Sequence, residues 1–73
     1  MNEWKELKCY NFDHAIVTIY RSRFALKKWM VEAEYKDGQL PRKLVFENEK
    51  EAWCKFYDAA QATLKWEAEG WMK

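Results

Sequence analysis

Alternating apolar and polar residues in the first two thirds of the chain predict an antiparallel sheet. The segment from about Ala15 to Arg23 is rich in β-branched and aromatic residues, which favour a strand. The next segment, WMVEAEYK, has a period of two, with apolar or aromatic residues on one side: Trp29, Val31, Ala33 and Tyr35. A further strand follows in LPRKLVFE, residues 40–47.

The Asp37-Gly38 pair predicts a turn between the last two strands. The register that this turn favours sets Trp29 opposite Phe46 on one face. On the other face it sets Glu32 opposite Lys43, an opposite-charge pair across the strands. A slip of one residue would bring charged side chains to the apolar face, so the pattern selects this register.

Pro41 constrains the loop of this hairpin. A proline has no N–H to donate, so a strict two-residue turn would leave it at a hydrogen-bonded position. We therefore expect a four-residue loop over residues 36–39, with Tyr35 opposite Leu40. Pro41 also predicts that its strand lies at an edge of the sheet.

A helix is predicted after Asn48, a good N-cap residue, with Glu51 at the third helical position. Its apolar stripe and flanks have helical spacing: Ala52, Phe56, Ala59, Ala60 and Thr63, flanked by Trp53, Leu64 and Trp66. Gly70 is the expected end. Residues 2–12 fit either a helix or a strand, and we favour an extended start.

These elements predict one α+β domain over residues 1–73. Its sheet has three antiparallel strands, or four if the N-terminal segment joins, and a C-terminal helix covers one face. At 73 residues the core is small, but 18% aromatic residues enlarge the area that it buries. The net charge of +1 is too small to indicate a partner.

Candidate chemistry is sparse. His14 is the one histidine, and Cys9, Asp13 and His14 have neither the spacing nor the number of ligands that zinc needs. No glycine-rich loop is present to hold a phosphate. Cys9 and Cys54 suit a reducing, cytoplasmic setting, and no apolar run is long enough to span a bilayer. We therefore expect a cytoplasmic, non-catalytic protein without a metal or cofactor.

Two features of the sequence favour binding. The first is the sheet face that the helix leaves uncovered, where Tyr20 and Met30 are expected beside four basic residues: Arg21, Arg23, Lys28 and Lys43. In the strand that begins near Ala15, either Val17 and Ile19 or the alternating residues Ile16, Thr18 and Tyr20 face the core. The sequence does not decide between these two orientations. The second is an excess of apolar residues at the chain ends: Trp4, Trp66, Trp71 and Met72.

The segment from Trp29 to Phe56 resembles the arm-type, AP2-like DNA-binding domain of phage tyrosine recombinases. The resemblance rests on residues that open or close elements: Trp29, Tyr35, Asp37-Gly38, Phe46, Asn48 and Glu51-Ala52. It implies a three-stranded sheet whose basic residues face the major groove. Glu32 and Glu34 depart from that pattern, because they lie on the face that would meet phosphates.

Two functions are consistent with this reading. The first is a small binding protein, an inhibitor or adaptor of the phage or mobile-element type, which acts by covering a surface of another protein. The alternative is a DNA-binding accessory factor that uses the uncovered sheet face. The terminal Trp residues would fold over the sheet edge, anchor a partner, or pair two copies of the chain.

Overall fold

A computed structural model of the chain describes residues 3–24 and 28–69. They form four antiparallel strands and one helix: β1 (Trp4–Asn11), β2 (Ala15–Ser22), β3 (Trp29–Tyr35), β4 (Arg42–Phe46) and α1 (Glu49–Glu69). The strands lie side by side in chain order, β1-β2-β3-β4, and α1 packs against one face. The predicted α+β class is confirmed, and the N-terminal segment supplies the fourth strand.

The register of β3 and β4 agrees with the prediction: Trp29 lies opposite Phe46, Val31 opposite Leu44 and Glu32 opposite Lys43. β4 is an edge strand, as Pro41 predicted.

The turn differs from the prediction. Pairing ends at Ala33 and Arg42, so the connection covers residues 36–41, and the predicted opposition of Tyr35 and Leu40 is wrong. The physical reason is Pro41, which cannot donate to the ladder and lies outside the strand. Gly38 adopts a φ of 92° in this turn, a conformation that glycine tolerates best.

The core lies between α1 and the sheet. Its buried cluster comes from three elements: Val17, Ile19, Trp29, Val31, Ala52 and Phe56. Val17 and Ile19 are both fully buried, which settles the phase of β2. Because side chains alternate along a strand, Thr18 and Tyr20 point to the opposite face.

The start and the buried stripe of α1 match the sequence pattern. The Oδ1 of Asn48 accepts a hydrogen bond from the backbone N–H of Glu51 at 3.2 Å. Phe56 is fully buried and stacks on Tyr10, with ring centroids 5.4 Å apart and planes 11° apart. Trp53 meets the edge of the same ring at 5.7 Å. The predicted end at Gly70 lies outside the described residues.

The other end of α1 is tied to the β1–β2 turn. The Glu67 carboxylate accepts hydrogen bonds from the backbone N–H of His14 at 2.8 Å and of Asp13 at 3.4 Å. These residues are more than fifty positions apart in sequence, so the contact fixes the direction in which α1 crosses the sheet.

Candidate protein-binding surfaces

The sheet face opposite α1, here the open face, is not covered by any other element formed by residues 3–24 and 28–69. The strand registers place on it the residues that alternate with the core: Ile16, Thr18 and Tyr20 on β2, Met30, Glu32 and Glu34 on β3, and Lys43 and Val45 on β4. β1 adds Cys9, opposite Thr18.

The centre of the open face offers little accessible apolar surface. Met30 is only 8% exposed and Thr18 only 5%. Met30 lies on the open face as predicted, but its expected exposure is wrong, and its role as a partner contact stays a prediction. The hydroxyl of Thr18 donates to the Sγ of Cys9 at 3.5 Å.

A polar network occupies the half of the open face nearer β4. The Tyr20 hydroxyl donates to Oε1 of Glu32 at 3.1 Å, and Lys43 Nζ lies 3.9 Å from Oε2 of the same carboxylate. Burial, and then the hydrogen bond to Glu32, raise the pKa of Tyr20. The predicted contact residue Tyr20 is thus half-buried, with its hydroxyl already engaged.

The four basic residues predicted to share the open face do not all lie on it. Arg21 is opposite Trp29, a core residue, so it lies on the helix side of the sheet. The prediction that Arg21 lies on the open face is therefore wrong. Arg23 lies beyond the end of β2, where its N–H donates to the carbonyl of Glu3, and Lys28 precedes β3. Of the four, Lys43 alone is within a strand on the open face.

The balance of charge on the open face is negative. Glu6, Glu32 and Glu34 lie there with Lys43 as the one cation among the strand residues of this face. Carboxylates at these positions would repel a phosphate backbone, which attracts positive charge. The open face is therefore poorly suited to nucleic acid.

A groove of about 420 Å³ runs between β4 and α1 on the helix side. We call it the β4–α1 groove. Its floor includes Ala33 and Tyr35 of β3 and Leu44 of β4, and its wall includes Ala59, Ala62 and Trp66 of α1.

Small residues line the groove between α1 and β4. Ala33, Ala59 and Ala62 put only methyl groups into a space that larger side chains would fill. Leu44 is consequently 48% exposed and Trp66 41% exposed, although both lie beside the core. Leu40, at 86% exposure, lines a second depression next to Tyr35 and Trp66.

Charged residues surround this apolar surface. Arg42 of β4 and Lys55 and Asp58 of α1 line the β4–α1 groove together with its apolar residues. An apolar centre with a polar rim is the usual arrangement of a protein-binding surface. The groove combines that arrangement with an aromatic residue, Trp66.

The opposite side of α1 forms a smaller cleft with β1, of about 310 Å³. It is lined by Tyr10, Phe12, Tyr57, Ala60, Gln61 and Leu64. Lys8 Nζ lies 5.2 Å from the ring centroid of Tyr10 and 5.8 Å from that of Tyr57. Hydrogen bonding to Tyr10 and the charges of both tyrosines raise the pKa of Lys8.

The predicted binding residues are divided among several places. Trp4 opens β1, opposite Ser22 and far from β4, whereas Trp66 lies in the β4–α1 groove. Trp71 and Met72 lie outside the described residues. Sequence reasoning missed the contribution of Leu44 and Tyr35, which it assigned to a fully covered core face, and of Ala62.

The described part of the chain holds no group of three His, Cys, Asp or Glu side chains that would bind a metal ion. Cys9 and Cys54 are exposed free thiols. None of the helical structure in residues 3–24 and 28–69 has both the length and the apolar character needed to cross a membrane.

Comparison with known proteins adds no relative. No family model, curated protein or solved structure matches the chain. The resemblance to the arm-type domain of phage recombinases therefore stays a prediction. The register places Glu32 and Glu34 on the face that this family turns toward DNA.

Proposed function

We propose that this chain is a small non-catalytic protein that binds another protein through the β4–α1 groove. It would act as an inhibitor or adaptor of the phage or mobile-element type, by covering a working surface of its partner. The supporting observation is the exposure of Leu44 and Trp66 beside a groove lined by alanines. Tryptophan in such a position often contributes much of the binding energy at protein interfaces.

Binding of DNA is the competing function, and the charges argue against it. A DNA-binding sheet needs its cations on one side, whereas Arg21 and Lys43 lie on opposite sides of this one. Two open-face carboxylates, Glu32 and Glu34, would also approach the phosphates. Charge therefore supplies little affinity for DNA here, and the apolar groove is the stronger candidate.

The test is capture of partners from a lysate of the source cells, with and without nuclease, followed by titration of the purified partner. Trp66→Ala should weaken binding roughly thirtyfold or more, the loss expected for a residue at the centre of an interface. Leu64→Ala is the matched control, because Leu64 is an exposed α1 residue in the cleft on the other side. It should leave affinity unchanged.

A second variant tests whether the partner enters the groove, without removing any apolar side chain that the partner could contact. Ala62→Leu fills the β4–α1 groove without removing an apolar group, so it should block the partner while thermal stability stays the same or rises. Binding that survives both Trp66→Ala and Ala62→Leu contradicts the proposal. So does nuclease-sensitive capture together with retention on DNA that falls steeply with salt.

A further inference from the structure

The outer side of β4 is an open sheet edge. β4 ends the strand order, and no strand among the described residues pairs with its outer side. Its exposed residues include Leu44 on the helix side and Val45, 55% exposed, on the open face. Such an edge presents backbone N–H and C=O groups that another strand would satisfy.

The other edge of the sheet carries a bulge, a protection that β4 lacks. β1 has an irregular register between Glu6 and Lys8, and it carries Lys5 and Lys8. Bulges and lysines are the usual means of preventing edge-to-edge pairing. β4 pairs regularly with β3, with Pro41 before the strand and two basic residues, Arg42 and Lys43, within it.

We propose that β4 pairs antiparallel with β4 of a second copy of this chain, about a two-fold axis through Val45. In this register Val45 meets Val45 of the second copy, and Leu44 meets Phe46 on the helix side. Lys43 meets Glu47, the residue directly after β4, of the second copy, and the symmetry makes that pair twice. The product is one continuous antiparallel sheet with both helices on the same face.

Charge and alternation select this register over its neighbours. An axis through Leu44 sets Lys43 against Val45 and leaves the charge without a partner. An axis through Lys43 opposes two lysines, which is unfavourable across strands. An offset of one residue would set helix-side residues against open-face residues, so it is excluded by the pleat. The Val45 axis alone pairs both charges and all the apolar residues.

The inference concerns assembly and does not rest on the proposed function. The β4 pairing uses Leu44, which also lines the β4–α1 groove. Trp66 is on α1, outside the paired residues 43–47, so Trp66→Ala should leave the dimer intact. Conversely, variants that separate the two copies leave the Trp66 side chain in place. The two proposals can therefore fail independently.

Sedimentation equilibrium of the full chain tests the pairing. The unmodified chain should be a dimer that dissociates on dilution. Glu47→Lys and Lys43→Glu should each weaken dimerisation roughly tenfold or more, because each turns two attractive pairs into repulsive ones. Glu47→Lys is the cleaner variant, since Lys43 also lies near Glu32.

An equimolar mixture of the Lys43→Glu and Glu47→Lys chains is the decisive measurement. In the mixed dimer both opposite-charge pairs form again, so affinity should return although neither chain pairs well with itself. Lys65→Glu reverses a charge on an exposed α1 residue that lines neither the β4–α1 groove nor the cleft with β1, so it should leave dimerisation unchanged.

Three results would overturn the inference. One is a chain that stays monomeric at every concentration at which it is soluble. Another is a dimer that neither charge reversal weakens, which would assign the contact to another surface. The last is a mixture that does not recover affinity, provided that circular dichroism shows both variants folded.

Discussion

Replacing Glu67 tests whether the contact between α1 and the β1–β2 turn stabilises the fold. The carboxylate accepts one short bond from His14 N–H, at 2.8 Å, and one long bond from Asp13 N–H, at 3.4 Å. Glu67→Ala removes both and leaves two backbone donors to find water. Glu67→Gln keeps an acceptor but loses the charge that strengthens the bond.

The magnitude follows from the geometry. A hydrogen bond to a charged group contributes about 1.5–3 kcal/mol, and the turn is solvent-exposed, so the lower end applies to the short bond. The long bond adds only a few tenths of a kcal/mol, by the distance dependence of hydrogen bonding. We expect Glu67→Ala to lower the free energy of unfolding by about 1.5 kcal/mol and Glu67→Gln by about half as much.

Thermal unfolding followed by circular dichroism measures this effect. For a domain of this size, about 1.5 kcal/mol corresponds to a fall in Tm of roughly 6–12 °C. Gln61→Ala, at an exposed position on the same helix, is the control and should shift Tm little. Hydrogen exchange at the His14 amide should also accelerate in Glu67→Ala. A Tm change no larger than that of the control, with unchanged exchange, would refute the reasoning.

Three further predictions concern local features. Asn48→Ala removes the cap of α1 and should cost about 1 kcal/mol in urea unfolding, whereas Asn48→Asp should cost little. Gly38→Ala should cost about 1 kcal/mol through backbone strain alone, since no other described residue places an atom within 4 Å of the added Cβ, and Gly38→Asn should cost less. Because the pKa of Tyr20 is raised, the native state keeps that proton longer than the unfolded chain. The free energy of unfolding should therefore fall as the pH rises above about 10, and less so in Tyr20→Phe, as urea titrations between neutral and alkaline pH would measure.

The features that the sequence predicted well are those that depend on neighbouring residues or on a single pairing. The Trp29–Phe46 register followed from alternation and from one charge pair, because a slip would bury charged side chains. The start of α1 followed from Asn48, whose side chain accepts a hydrogen bond from the backbone N–H three residues later. The buried stripe of α1 followed from the helical spacing of its apolar residues.

The features that the sequence did not predict depend on how α1 lies across the sheet. Leu44 belongs to the helix-side face as predicted, yet it is half exposed because a groove separates β4 from α1. The bonds from His14 to Glu67 join positions 53 apart, and no local pattern indicates them. Met30 is buried by neighbours whose side-chain positions the sequence pattern does not specify.

The register of β2 bears most directly on the choice between the two functions. Residues 14–45 carry seven basic and three acidic side chains, an excess that favours DNA only if the cations share a surface. Pairing of Arg21 with Trp29 sends that cation to the helix side, while Glu32 and Glu34 both point to the open face. The basic excess is thus divided between the two sides, and the acids are concentrated on one. The proposed binding of a protein partner would then depend mainly on apolar area, and Leu44 and Trp66 expose such area at the β4–α1 groove.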